Sequence, residues 1–527
     1  MKIRAILFFL TICALSVLPV IAQDNVRLTV SVTSGDGTPV RELKKTDFTV
    51  QDAGKPQTIE TFVAPAPMPS APPQPAIGQF TNAPDITESG AIFVVLDTIH
   101  TRYIEERDMR EMILKFLGRA AQAKRDVALA ILSPKGLHVY HDYQTSSNVL
   151  LAALIKAGLG GMKGGTPPSG VNDAEVIAEA ARLTAFSKGD RSNATPQGQL
   201  LLSNIDMPLV MFQDVGHAVY GLPGRKALVW VTNAVPFDID PKNFQFVSPK
   251  TSNPGASVNG AQTPGIQDAL SGNQVKRLMP IWRRSMRDLF EGGAAVYPVE
   301  AQGSSTAGSD AFTQTRMRTL AQLTGGKAFY GGNDPFPEIL QTSNGNVAGY
   351  VLELAREANA TPEFHRLQVT VNKPGSLVNS AAGYFPAEGT LKSRAQEDVT
   401  LALQSPLAYS GLVFSLKFTG NEDSAGKKKV NMVISLSGDA GVLNEASRTV
   451  DLGLIAMAKD AKDTTVGKLN ESAGGQFPPE AVAPIKELGF QLKRSIEVPA
   501  GDLTIHFVIR DNQTGRLGSL LVPLRVQ

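Results

Sequence analysis

From residue 26 the chain alternates apolar and polar positions with a period of two. VRLTVSVT (26–33), DFTVQD (47–52) and QTIETFV (57–63) are separated by Gly35-Asp36-Gly37 and Gly54-Lys55-Pro56. Such alternation between turn residues predicts half-buried strands, so residues 24–63 read as a small β unit. The next stretch, 64–87, carries seven prolines and almost no periodicity. Proline gives a ladder no amide donor, and residues 64–89 read as a linker.

Between 90 and 345 the pattern changes. The runs 91–96, 126–132, 226–232 and 294–299 are apolar almost throughout, as strands covered on both faces require. Between them lie stretches of helical period: 104–122, with Met109, Ile113, Phe116, Leu117 and Ala120 on one face, then 146–157, 172–187, 198–220, 274–291, 311–323 and a last helix from Pro335. GLHVYHDY (136–143) follows Ser133-Pro134-Lys135 and reads as the return strand of a hairpin. Residues 236–272, rich in Asn, Pro, Gly and Ser, read as an excursion from the fold. Strands spaced by helices of this length predict an α/β unit around a doubly wound, mainly parallel sheet. Strand signal returns over 346–388, and the strand count permits those strands to join residues 24–63 in one unit. The last part, 396–527, carries seven further strand patterns, 398–404, 411–419, 429–437, 447–456, 490–498, 502–510 and 517–526, and predicts a β-sandwich.

Composition narrows the function classes. A net charge of +2 and the short run Lys427–Lys429 give no basic footprint for nucleic acid. The first 22 residues have Lys2 and Arg4, an apolar middle from Ile6 to Val17, and Val20-Ile21-Ala22 before Gln23. They read as an export signal, with an uncleaved anchor as the alternative. Export puts the protein in the periplasm, the cell envelope or the medium. Cys13, the chain's one cysteine, falls inside that segment. The mature chain then has no disulfide, no thiolate metal site and no cysteine nucleophile. No later stretch is long and apolar enough to span a bilayer.

The candidate chemistry sits where the apolar run Ala91–Leu96 ends on a carboxylate, Asp97, followed by Thr98, Ile99, His100 and Thr101. Ligands of open α/β sheets bind at the carboxyl ends of parallel strands. A phosphatase of the Asp-x-Asp-x-Thr kind would need a second acid at position 99, which is isoleucine. GLGGMKGGTPPSG (158–170) lacks the Gly-Lys-Ser/Thr order of a phosphate loop. No Gly-x-Ser-x-Gly elbow occurs. His138 and His141 would face opposite sides of one strand, Asp238 and Asp240 read as a solvated loop, and Trp230 and Trp282 read as core. Nothing assembles a catalytic set. The structural alternative for Asp97 is an acid that fixes the following loop through backbone N–H groups. His100 reads as a loop or surface histidine compatible with a pH-sensitive contact.

Six blocks in register over 26–386 carry a family resemblance: VRLTVSVTSGDGTPVRELKKTDFTVQDAGKPQTIETF, LDTIHTRYIEERDMREMILKFL, PGRKALVWVTNAVPF, AAVYPVEAQG, LAQLTGGKAFY and FHRLQVTVNKPG followed by AAGYFP. They resemble the VWFA-related Acidobacterial domain family of exported bacterial proteins, and the last 39 or so residues resemble the C-terminal sandwich of many members. The resemblance implies a von Willebrand factor A-like fold over 90–345. It also implies pairing of 24–63 with 347–386, and an immunoglobulin-like C-terminal sandwich. It further implies an Mg²⁺ adhesion site built from Asp-x-Ser-x-Ser, a later threonine and a second acid. In this sequence Asp97 matches the first acid, Thr101 the second hydroxyl and Thr166 the later threonine. Ile99 offers no oxygen, and Asn233 stands in place of the second acid. The expectation is a degenerate site with weak Mg²⁺ binding or none. The family is mostly without an assigned function. The expectation here is a non-enzymatic binding or scaffolding protein of the cell envelope or extracellular space. It would meet a protein partner on a surface of three loops, Asp97–Tyr103, Gly160–Asn172 and Asn233–Asp238, with Asp97, His100, Thr101, Thr166 and Asn233 as contacts. The alternatives are a purely structural envelope component and a metal-dependent hydrolase.

Overall fold

The computed structural model describes residues 25–65, 78–84, 90–101, 103–143, 145–189, 205–247, 272–301, 311–330, 334–345, 349–355, 361–424 and 426–527. The expected export signal, most of the proline-rich stretch and residues 248–271 of the excursion lie outside them. Among the described residues the chain is a mixed α/β protein with nine helices, one mainly parallel sheet and several antiparallel ones.

Strands β1 (Val26–Ser34), β2 (Phe48–Asp52), β3 (Lys55–Gln57) and β4 (Ile59–Val63) form in the N-terminal segment, and β5 (Gln79–Thr81) follows within the proline-rich stretch. The α/β unit then runs β6 (Ile92–Asp97), α1 (Tyr103–Gln122), β7 (Val127–Ser133), β8 (Gly136–His141), α2 (Ser147–Ala157), α3 (Asp173–Lys188) and α4 (Asp206–Val219). It continues with β9 (Lys226–Thr232), a two-strand ribbon of β10 (Asp238–Ile239) and β11 (Phe246–Val247), α5 (Gly272–Glu291), β12 (Ala294–Glu300), α6 (Ala311–Thr324) and α7 (Phe336–Gly345). The sheet order is β12-β9-β6-β7-β8, with β8 alone antiparallel, so β6 is central. Its side chains divide between two cores. Phe93 and Val95 point to the face covered by α4, α5 and α6, whereas Ile92, Val94 and Leu96 point to the face covered by α1, α2, α3 and α7. That division explains why the strand has no polar alternation.

Strands β13 (Gly349–Leu354), β14 (His365–Val371), β15 (Ser376–Asn379) and β16 (Gly383–Tyr384) return to the N-terminal strands. Two sheets result, β15-β1-β13-β4 and β16-β14-β2-β3, closing on Leu28, Val30, Val50, Tyr350 and Leu352. This unit abuts the amino ends of the parallel strands. There Arg225 donates to the carbonyl of Thr29, and Lys226 donates to that of Gly292. Burial, with Arg27 and Arg225 nearby, pushes the Lys226 ammonium well below its ordinary range.

The last part opens with a helix, α8 (Leu391–Gln404), where strand 398–404 is expected. Thr390 caps it by accepting from Ser393 N, and only Asp398, Val399 and Ala402 are fully buried. The remaining elements are β17 (Ser415–Ser424), β18 (Lys427–Leu436), β19 (Thr449–Lys459), β20 (Thr465–Gln476), α9 (Pro479–Leu488), β21 (Phe490–Val498), β22 (Gly501–Asp511) and β23 (Leu517–Val526). They make two four-stranded antiparallel sheets, β21-β18-β17-β5 and β20-β19-β22-β23, around one core. Part of the expected linker, β5, is thus an edge strand of the C-terminal sandwich. Leu407, Tyr409, Val508 and Leu517 join the same apolar cluster as Phe212 and Trp230, so the core crosses from the α/β unit into the sandwich region.

Candidate functional site

Asp97 ends β6 at the carboxyl edge of the sheet and is 0% exposed. An ionised carboxylate so placed needs its lone pairs filled, and here they are. Oδ1 accepts from the backbone N–H groups of Ile99 (2.9 Å) and His100 (3.1 Å), which folds the loop into an Asx-type turn. Oδ2 accepts from His100 Nδ1 (2.7 Å) and from Trp230 Nε1 (3.2 Å), and the Thr232 hydroxyl lies 3.3 Å away. The neighbouring strand supplies the last two because β6 and β9 run parallel with Val95 opposite Trp230 and Leu96 opposite Val231.

His100 is therefore not a surface histidine. Its ring is buried, and donation to Asp97 fixes the proton on Nδ1. Its Nε2 and the Thr101 hydroxyl are both buried without a hydrogen-bond partner. Asn233 follows Thr232 at the end of β9 and is half-buried. The site thus brings together Asp97, His100 and Thr101, with Asn233 one residue beyond the Thr232 contact.

Thr166 does not join them. It is exposed, and its loop lies against the other end of α1. Gly160 packs on the Leu114 carbonyl, Met162 touches Gly118 and Gln122, and Gly165 rests on Met162 and Ile155. Gln122 lies 19 residues beyond Tyr103, about 28 Å down the helix at 1.5 Å per residue. The following helix confirms the direction, since the carbonyl of Phe186, near the end of α3, accepts from Arg110 in the first half of α1. The Gly160–Asn172 loop therefore belongs to the opposite edge of the α/β unit from Asp97, and the expected three-loop surface is not assembled.

Nor does the oxygen set fit Mg²⁺, which wants near-octahedral oxygen ligands with free lone pairs at about 2.0–2.1 Å. Asp97 has none to give, and its nearest partners are N–H donors. Glu106, in the first turn of α1, pairs with Arg110 at 3.2 Å, and burial raises its pKa. Among the described residues no group of three or more His, Cys, Asp or Glu side chains could hold a metal ion. The other candidates are also engaged. His141 donates to Glu179 (2.7 Å), which Arg182 also holds; burial raises the Glu179 pKa, and these two partners together bring it below the ordinary value. Asp238 pairs with Arg316, and Asp240 accepts from the N–H of Lys242. Trp282 is core and donates to the Phe244 carbonyl.

A second buried polar cluster escapes sequence reading altogether. Tyr409, between α8 and β17, donates to Asp214 of α4 (2.6 Å) and stacks on His217 at 4.9 Å. Beside them Arg284 bridges Asp288 and Asp398, Arg287 pairs with Asp288, and Arg510 of β22 reaches Asp398. Burial pushes Asp214 up to about 6, against the lowering pull of Tyr409 and Ser405. Asp288 goes the other way: burial raises it, but Arg287 and His217 hold it far below the carboxylate range. These groups pin the α/β unit to α8 and the sandwich. No helix among the described residues is long and apolar enough to cross a membrane.

No family model matches the chain, and no curated protein matches it.

Proposed function

We propose that the chain is an exported, non-enzymatic binding and scaffolding protein of the cell envelope or its surroundings. In this reading its central unit is von Willebrand factor A-like, and an immunoglobulin-like sandwich closes the chain. The ancestral adhesion pocket has become an internal hydrogen-bonded hub. The observation that carries the reading is Asp97: a carboxylate at the ligand-binding edge of the sheet with its acceptor capacity taken by Ile99, His100 and Trp230. Such a hub holds a loop rigid and leaves nothing to polarise a substrate or bridge a partner's acid through a cation. Partner contact is then metal-independent. It falls to the surface around Thr98, Ile99 and Asn233, with no part for Thr166.

Capture from the cell envelope tests this. The chain from residue 23 onward, immobilised and exposed to solubilised envelope, should retain the same proteins with or without EDTA. Retention that EDTA removes, or turnover of phosphate esters by the purified chain, would overturn the reading.

A further inference from the structure

The end of α5 and the start of β1 enclose a cleft with one acid in it. Asn25, just ahead of β1, lines it together with Arg27, Phe290, Glu291, Tyr384 and Pro386. The Glu291 side chain is 38% exposed, and its carboxylate accepts no hydrogen bond among the described residues. Its ion-pair partner, Arg287 Nε, is 3.8 Å away and is engaged by Asp288, to which Arg287 donates through Nε (3.1 Å) and Nη2 (2.8 Å). Arg27 reaches the same residue but takes its backbone carbonyl (2.5 Å), with its guanidinium over the Tyr220 ring at 4.4 Å. Further charges around Glu291 are Asp288 on the same helix, Arg394 on α8 and His217 on α4. Desolvation raises the Glu291 pKa, against the lowering pull of Arg287. A carboxylate so placed gains from one more cation with N–H groups to give. The Phe290 and Tyr384 rings, 5.6 Å apart, make an aromatic wall, which also favours an ammonium. The cleft holds about 20 Å³, room for one water-sized group such as an ammonium and too little for a larger ligand.

The chain itself supplies such a cation. Asn25 and Arg27 share a face of the extended backbone, so the chain ahead of Asn25 starts at the end of α5. Cleavage before Gln23 places a new α-amino group two residues from Asn25, a reach of about 7 Å. In the precursor that nitrogen is an amide within the chain, and the free amino group is at Met1. We propose that the α-ammonium created when the export signal is removed docks in this cleft on Glu291. The pair ties the first strand of the N-terminal unit to α5 of the α/β unit, a tie that the precursor lacks. Processing thus closes a clasp that the chain still awaiting export leaves open. The inference rests on the export reading and is independent of the Asp97 one.

Amine acylation tests the docking. The chain beginning at Gln23, released from an amino-terminal fusion, is treated at about pH 7.5 with limiting N-hydroxysuccinimidyl acetate, and labelling of its first peptide is followed by mass spectrometry. Its α-amino group should react about tenfold more slowly than in the Glu291→Gln variant, because a paired ammonium gives up its proton less readily. It should be slower by the same factor than in a chain beginning at Val20, which keeps every residue of the cleft but carries its amino group past it. Ring closure of Gln23 to pyroglutamate, in which the same amine attacks the side-chain amide and expels ammonia, should slow in parallel. Equal rates in the folded chains would overturn the docking, and the Val20 comparison decides it if Glu291→Gln does not fold. The first peptide of the chain exported from its own cells tests the export reading separately. A start at Gln23 upholds that reading, and residues 1–22 still attached overturn it whatever the acylation ratio.

Discussion

Asp214 offers a quantitative test of how the α/β unit is fastened to the sandwich. Its carboxyl is buried, and its folded pKa is raised from 3.8 to about 6. A raised acid pKa means that the folded state binds more protons than the unfolded state between those values. The group's contribution to stability is therefore greatest below about pH 4, declines as pH rises to about 6, and stays low above that. At about 1.4 kcal/mol per unit, the cost of keeping Asp214 ionised at neutral pH is about 3 kcal/mol. Asp214→Asn keeps the oxygen that accepts from Tyr409 and removes the charge. The variant should match wild type near pH 4 and exceed it by up to about 3 kcal/mol at pH 7.5. Urea denaturation followed by tryptophan fluorescence at pH 4, 5, 6 and 7.5 reads this directly, because Trp230 and Trp282 lie in the same core cluster as Tyr409. A variant weaker than wild type by the same amount at every pH would refute the reasoning. That result would mean the carboxylate is ionised throughout and is stabilised by its partners.

Two further outcomes follow from close packing and from the hub. Asp97→Ala strips the acceptor from two backbone amides, His100 and Trp230, and should cost about 3–5 kcal/mol in denaturation midpoints, with or without Mg²⁺; a loss below about 1 kcal/mol would contradict a structural role. Gly216 of α4 sits where a Cβ would lie 2.4 Å from the Asp288 carbonyl of α5. Gly216→Ala, which would add about 1 kcal/mol in an open helix, should instead lower the melting temperature, and a rise would refute the close crossing.

The apolar strands of the α/β unit are legible because both faces of each are covered, so the sequence itself carries the burial. β20 is not: in TVGKLNESAGGQ only Leu469 and Ala473 turn fully inward, and no alternation survives. DVTLAL imitates a strand inside α8; the Thr390–Ser393 capping box is the signal that separates the two. β5 has three residues and depends on one buried asparagine, Asn82, bonded to the Tyr409 and Leu412 carbonyls, which no propensity reveals. At the site, a strand ending in an acid is visible. The Trp230 and Thr232 contacts require the β6–β9 register, and the misplacement of Thr166 requires knowing which end of α1 its loop embraces. The strand-end acid marks the edge of the sheet, and only its hydrogen bonds distinguish a ligand from a loop anchor.

The central claim is that Asp97 is spent inside the protein. Titration calorimetry of Mg²⁺, Mn²⁺ and Ca²⁺ into the chain from residue 23 onward tests it most directly. The account predicts no saturable heat into the millimolar range for any of the three. Saturable binding that disappears in a folded Asp97→Ala variant would contradict it.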